Sequence, residues 1–356
     1  MTDQYELDIE VSDEDEELYV EYNIATYPSD NTLNVLRVMW KEGDIAIPKF
    51  QRGFVWNLGQ ASLLIESFLR GLPVPPIFLF VDEDNTNLVV DGLQRLSSIM
   101  YFYEGYFGPE QSNGRRQIFR LTGLNKKSRF FNKTFDELTE SDKRKFNNSV
   151  LRAVNIRQLS PVDDVSSVYH IFERLNTGGT PLSPQEIRNT VYRGDIIDEL
   201  KDANKDADWR KIFGKDDPDR RERDTEIILR LMGFYLKGAN YERPMKRFLN
   251  DAMYENRALA SKDVKKFFRI WPDVCEFIVD ELGSKPFSPR GPLNVAVLDS
   301  IFTAISKNWP KKPKDVKVAV AELLHDATFM DLCSARTGDT DVVRKRLLLA
   351  FKKIYG

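Results

Sequence analysis

Asp91, Gly92, Gln94 and Arg95 stand within five positions and carry what a phosphate site requires. They follow the apolar run Leu88–Val90 and precede helical spacing at Leu96, Ile99, Met100 and Tyr103, which predicts a strand–turn–helix corner. Glycine there permits a tight turn and close approach of backbone to ligand. The first helical turn presents unpaired N–H groups and a partial positive charge. Arg95 can grip phosphate oxygens in bidentate fashion. Gln94 can hydrogen-bond a base, a ribose or a water, and Asp91 can hold Mg2+ or orient Arg95. The plainer alternative is a strand–helix junction with a local Arg–Asp ion pair.

Three other groups carry chemistry. Lys49, Gln51 and Arg52 sit among Phe50, Phe54 and Trp56, where cations could take phosphate while rings stack on bases; the alternative is aromatic core. Arg174, Asn176 and Thr177 lead into Gly178-Gly179-Thr180, a loop able to surround an anion with N–H groups and hydroxyls. A connector between helices explains its glycines and Pro181, but not Arg174, Asn176, Glu186, Arg188 and Asn189. Arg115, Arg116, Arg120, Lys126, Lys127 and Arg129 mark residues 108–128 and their edge as a basic loop or hairpin suited to a nucleic-acid backbone. Two-metal phosphodiester cleavage through Asp91 with Glu66 or Glu186 is a further option, although no paired-acid spacing argues for it.

Taken in order, these motifs resemble a known family. Gln51-Arg52-x-Phe54-x-Trp56, Leu72-Pro73-x-Pro75-Pro76-Ile77, Asp91-Gly92-x-Gln94-Arg95 and the run from Arg174 through Gly178-Gly179, Leu182-Ser183 and Glu186 to Asn189 are similar to the GmrSD N-terminal family, over roughly residues 30–240. The family's usual signature at the corner is Asp-Gly-Gln-Gln-Arg; here Leu93 replaces the first Gln. The resemblance implies a core like the ParB and sulfiredoxin fold, whose strand–turn–helix corner binds nucleotide phosphates. It implies a role in bacterial restriction of foreign or modified DNA, with hydrolysis of nucleoside triphosphates gating a nuclease, often an appended HNH domain. On that reading Asp91, Gln94 and Arg95 are catalytic, and Lys49, Gln51, Arg52, Gly92, Arg95, Arg174, Asn176 and Thr177 bind nucleotide, with Mg2+ on Asp91. The chain would then be a nucleotide sensor or nucleoside triphosphatase regulating a separate effector nuclease. The alternative is a DNA-binding module without turnover.

The elements that must position these groups divide near residue 160. Residues 1–30 read as an acidic tail, with a short strand around Leu18–Ile24. Residues 31–160 read as a small mixed sheet with helices: a helix at Leu33–Lys41, a strand at Ile45–Phe50, a helix capped by Asn57 and stopped by Gly71, a hairpin of Ile77–Val81 and Leu88–Val90, and a strand at Val150–Gln158. Residues 161–356 read as helical, and Ser183-Pro184-Gln185-Glu186 forms a complete helix start. The fold class is therefore α+β, a ParB/sulfiredoxin-like sheet domain followed by a mainly α-helical one.

Bulk properties exclude several classes. With 356 residues, 42% hydrophobic and 30% charged, the chain is an ordinary globular protein. No apolar run reaches the roughly 18 residues needed to span a bilayer. Two cysteines, Cys275 and Cys333, argue against a disulfide framework and for a reducing cytoplasm. His170 and His325 are the only histidines, too few for an HNH site, and no Walker A run is present. The net charge of −3 conceals an asymmetry. Residues 1–21 hold ten acids and no Lys or Arg, leaving 52 basic against 45 acidic residues elsewhere, a net of +7. Such a tail is either a solvated appendage or a cover for a basic groove that competes with nucleic acid.

Overall fold

The computed structural model describes residues 23–46, 54–82, 84–108, 116–160, 166–175, 182–289 and 291–356. They form two compact units, Glu21–Leu182 and Ser183–Gly356.

The first unit is built on a five-stranded mixed sheet in the order β1-β7-β3-β4-β2. Its strands are β1 (Asn23–Thr32), β2 (Ile45–Ala46), β3 (Ile77–Val81), β4 (Asn87–Asp91) and β7 (Val150–Ser160). A separate ribbon pairs β5 (Tyr106–Phe107) with β6 (Gln117–Ile118). The helices are α1 (Leu33–Glu42), α2 (Leu58–Arg70), α3 (Leu93–Glu104), α4 (Glu140–Asn148) and α5 (Ser166–Leu175). The central pair β3 and β4 is antiparallel, with Leu79 opposite Val89 and Phe80 opposite Leu88. Both strands are nearly continuous apolar runs because both are buried on two faces. Ile77, Leu79 and Val89 join Ile65 and Phe68 of α2 and Leu96, Ile99 and Phe102 of α3 in one core.

Helix ends follow local chemistry. Asn57 and Gln60 form a reciprocal capping box on α2, and Gly71 ends that helix in the left-handed conformation. Gly43 and Gly105 end α1 and α3 in the same way. The strand expected at Ile45–Phe50 is seen as Ile45–Ala46, residues 47–50 lying outside the described ones.

Two expectations are corrected. The tail does not extend to residue 30, because Asn23–Thr32 forms a ten-residue edge strand along β7. Its polar sequence and Pro28 conceal it, since an edge strand buries little and tolerates proline. Pairing to β7 supplies the order instead, including a bidentate ion pair from Arg152 to the facing Asp30 at 2.8 and 2.9 Å. The first unit also runs past residue 160 to Leu182, because α5 packs on β4 and buries Tyr169 and Phe172.

The second unit is all helical: α6 (Pro184–Val191), α7 (Ile196–Asn204), α8 (Ala207–Phe213), α9 (Arg223–Lys237), α10 (Met245–Asn256), α11 (Lys262–Leu282), α12 (Val295–Asn308), α13 (Val316–His325), α14 (Ala327–Leu332) and α15 (Thr340–Tyr355). Its core is aromatic, with the rings of Trp209, Phe267 and Phe302 each in contact with that of Trp271. Among the described residues, no helix is long and apolar enough to cross a membrane.

Candidate phosphate site at the β4–α3 corner

The sheet delivers Asp91 at the end of β4, next to a register irregularity opposite Phe78. Gly92 then turns the chain with φ of 98°. A Cβ at this position would lie 2.3 Å from Cγ2 of Ile77, so glycine is required by both the left-handed backbone and the strand beside it. Helix α3 starts at Leu93, and the Leu96 N–H donates to the Gly92 carbonyl at 2.9 Å. Gly92 has no side chain with which to cap the first turn.

Arg95 lies one turn into α3. Its Nη2 donates to Asp91 Oδ2 at 2.7 Å and to the Pro76 carbonyl at 2.9 Å. Its Nε is buried and has no partner among the described residues. Asp91 thus orients Arg95, one of the two roles expected of it. Its second carboxylate oxygen is the one left for a metal, and among the described residues no group of three His, Cys, Asp or Glu is placed to hold one.

Gln94 does what its spacing could not announce. Its Oε1 accepts from the Val55 N–H at 2.9 Å and the Trp56 N–H at 3.1 Å, across 39 and 38 residues of chain. Val55 and Trp56 are thereby fastened to the Asp91–Arg95 corner. The ring of Phe54 packs edge-on to Tyr101 and Phe107 at 5.0 and 5.2 Å, and Trp56 packs on the core, so these two aromatics serve packing. Lys49, Gln51, Arg52, Asn176 and Thr177 lie outside the described residues. Arg174 is exposed near the end of α5.

The polar residues after the Gly-Gly turn find their explanation inside the second unit. Ser183 and Glu186 close the expected capping box, the Ser183 N–H donating to Glu186 at 2.6 Å. Arg188 is fully buried and donates to Asn250 at 2.9 Å, Glu226 at 2.8 Å and Gln185 at 3.3 Å. Asn189 donates to Glu222 and accepts from Gln185. Glu222 was not legible as special, because Arg220-Arg221-Glu222-Arg223-Asp224 reads as a solvated charge run. It sits with φ of 56°, uncommon for a residue with a side chain. Burial raises its carboxyl pKa, opposed by Lys201 and reinforced by Glu186. Burial in turn lowers the Lys201 ammonium, against the pull of Glu222 and Asp198.

The basic loop is less available than its composition implies. Arg116 pairs with Glu104 at 3.1 Å, Arg120 with Glu137 at 2.8 Å and Arg129 with Asp142 at 2.5 Å. Lys126 and Lys127 are exposed, and Arg115 lies outside the described residues. Of the histidines, His170 is 3.7 Å from Glu173 in α5, and His325 caps its own turn through the Ala321 carbonyl at 2.7 Å.

The geometry defines a class: an α+β domain in which a mixed sheet presents an Asp-Gly-x-Gln-Arg corner, with a polar helix start following it in sequence. Residues 35–193, a little under half of the chain, match the model of the GmrSD restriction endonuclease N-terminal domain, so this stretch is similar to that family. The matched stretch begins within α1 and ends just after α6, so it takes in the corner and α6 but not Glu222, Glu226 and Asn250, with which α6 is bonded. No curated protein matches the chain.

Proposed function

We propose that the β4–α3 corner binds the phosphates of a nucleoside triphosphate, and that the chain is the nucleotide-responsive component of a bacterial restriction system, regulating a separate effector nuclease that acts on DNA. One observation carries the reading: the Gln94 side chain joins two motifs 38 residues apart at the turn that also orients Arg95. The buried Nε of Arg95 has no partner among the described residues, a state it shares with the Nε of Arg116 and Arg346, and it is available to an acceptor at the corner.

In this reading the N–H groups of Leu93 and Gln94 meet phosphate oxygens with the favourable sign of the helix dipole. Arg95, held by Asp91 and the Pro76 carbonyl, adds a preset cation, so little entropy is lost on binding. The Gln94 amide nitrogen has no partner among the described residues and donates to base, ribose or water. Mg2+ usually takes one or two carboxylates and completes its shell with phosphate oxygens and water. Asp91 is the carboxylate the corner offers, and the metal would supply charge neutralisation there. Hydrolysis would reset the sensor.

The test is a thermal-shift and phosphate-release panel of the four ribonucleoside triphosphates with Mg2+, on wild type and Arg95→Ala. A ligand that binds only the native state raises the melting temperature, by about 2.7 kcal/mol of stability at a hundredfold excess over Kd. A nucleotide-specific rise that Arg95→Ala abolishes is expected, with phosphate release distinguishing turnover from sensing. An equal rise in both proteins, or none with any nucleotide, would remove the corner from consideration and leave direct DNA binding as the working function.

A further inference from the structure

The second unit carries a group of lysines that the fold leaves without acids. Lys311-Lys312-Pro313-Lys314-Asp315-Val316-Lys317, between α12 and the first turn of α13, holds four lysines and one acid. All four lysines are exposed, and none forms an ion pair among the described residues. Other lysines of this unit are spent on acids: Lys205 on Asp202 and Lys211 on Asp208, each at 2.7 Å, and Lys237 on Glu255 at 2.5 Å. Two of the four are seated on rings. The Lys312 ammonium stands 5.3 Å from the centre of the Phe277 ring and 5.6 Å from that of Trp309, and those rings meet edge to face at 5.7 Å. The Lys311 ammonium stands 6.0 Å over the Tyr355 ring, and the Tyr355 hydroxyl donates to the Lys311 carbonyl at 2.9 Å. That bond ties the turn to the last turn of α15, where Lys353 is bonded to Glu322 at 2.6 Å and Lys352 is exposed with no ion pair among the described residues. Helix α11 bears Asp273, Glu276, Asp280 and Glu281 close to Phe277 in sequence, but none of them is bonded to these lysines.

Like charges held together repel one another, so the surface fits a polyanion with closely spaced charges. Duplex DNA carries one phosphate charge per about 1.7 Å of its axis. Lysine takes phosphate as a point charge, and an aromatic seat holds the side chain in place beforehand, so less entropy is lost on binding. Residues 309–317 contain no Arg, Asn or Gln with which to read a base edge. We propose that the Lys311–Lys317 turn, together with Lys352, docks the phosphate backbone of duplex DNA without regard to sequence. The choice of DNA among polyanions rests on the proposed role in a restriction system. The site itself lies wholly within the second unit and does not require the β4–α3 corner to bind nucleotide.

Fluorescence anisotropy of the full chain on short duplexes of unrelated sequence, measured without nucleotide, tests this. The duplexes should bind alike, and the logarithm of affinity should fall linearly with the logarithm of salt concentration. Each phosphate contact removed lowers that slope by about 0.9, so Lys311→Gln with Lys312→Gln and Lys317→Gln should lower it by roughly 2–3 and weaken binding at least ~tenfold at about 0.1 M salt. The charge-matched variant Lys262→Gln with Lys265→Gln and Arg269→Gln, at exposed positions near the start of α11, should keep the wild-type slope. No duplex binding by wild type at low salt, or an equal loss in the two triple variants, would overturn the proposal. Retained duplex binding in the Lys311, Lys312 and Lys317 variant, with loss of binding to phosphatidylserine vesicles, would overturn it in favour of an anionic membrane surface.

Discussion

Gln94 is the residue at which positioning and binding can be separated by two substitutions. Gln94→Leu keeps the approximate volume but leaves the Val55 and Trp56 N–H groups without their acceptor. A hydrogen bond contributes about 1 kcal/mol net, and the Val55 bond is exposed, so the expected loss is about 1–2 kcal/mol. For a unit of this size each kcal/mol moves the melting temperature by about 2–4 °C, a fall of roughly 2–8 °C. Gln94→Glu keeps the acceptor and gives it a charge, which strengthens hydrogen bonds from N–H groups. Stability should therefore be held or raised. The same change removes the amide donor and places a negative charge beside the proposed phosphates, so nucleotide-dependent stabilisation should disappear. The assay is thermal unfolding of the three proteins with and without the triphosphate that stabilises wild type. A Gln94→Leu protein that melts with wild type would refute the fastening role. A Gln94→Glu protein that keeps its nucleotide shift would refute the placement of the ligand.

Further outcomes follow from neighbouring contacts. Gly92→Ala forces a Cβ against Ile77 and a strained φ, and overpacking typically costs about 1–3 kcal/mol; a melting temperature within 1 °C of wild type, on the order of 0.3 kcal/mol, would contradict the turn geometry. Arg188→Ala strands Glu226, Asn250 and Gln185 in the second unit, and breaking a buried pair costs about 3–5 kcal/mol, readable as a large drop in denaturant midpoint. Glu222 has a folded pKa above its ordinary value of 4.5, so ionisation works against the fold: wild type is relatively favoured below pH 4.5 and loses stability as pH rises from there through the raised pKa. Glu222→Gln, which can still accept from Asn189, should gain on wild type across that window; a stability difference independent of pH would count against the burial of this carboxyl.

The periodic elements were open to sequence reasoning because their causes are local. Asn57 with Gln60, and Ser183 with Glu186, cap helices through bonds spanning three residues. Ile77–Val81 reads as a strand because it is buried on both sides. The type of corner at Asp91–Arg95 was equally legible, since a strand end, a glycine and resumed helical spacing follow one another directly. The acidity of residues 1–21 and the poverty in histidine and cysteine are properties of the sequence alone.

Tertiary structure decided what pairing across long separations decides. Polar β1 is a strand because β7 offers it a partner far along the chain, from Thr32 opposite Val150 to Asn23 opposite Ser160. The composition of the basic loop was visible, but only folding shows that Arg120 is spent on Glu137 and Arg129 on Asp142. Glu222, in a charge run that reads as solvated, acquires its raised pKa from burial, reinforced by Glu186 and Asp224 and opposed by Lys201 and Asn189. Gln94 in sequence was a candidate ligand to a base or a water; in the fold its carbonyl is committed to the backbone of Val55 and Trp56. Local signals follow from the propensities and caps of neighbouring residues, whereas the partner of a polar side chain depends on which distant backbone the hydrophobic core brings within 3 Å of it.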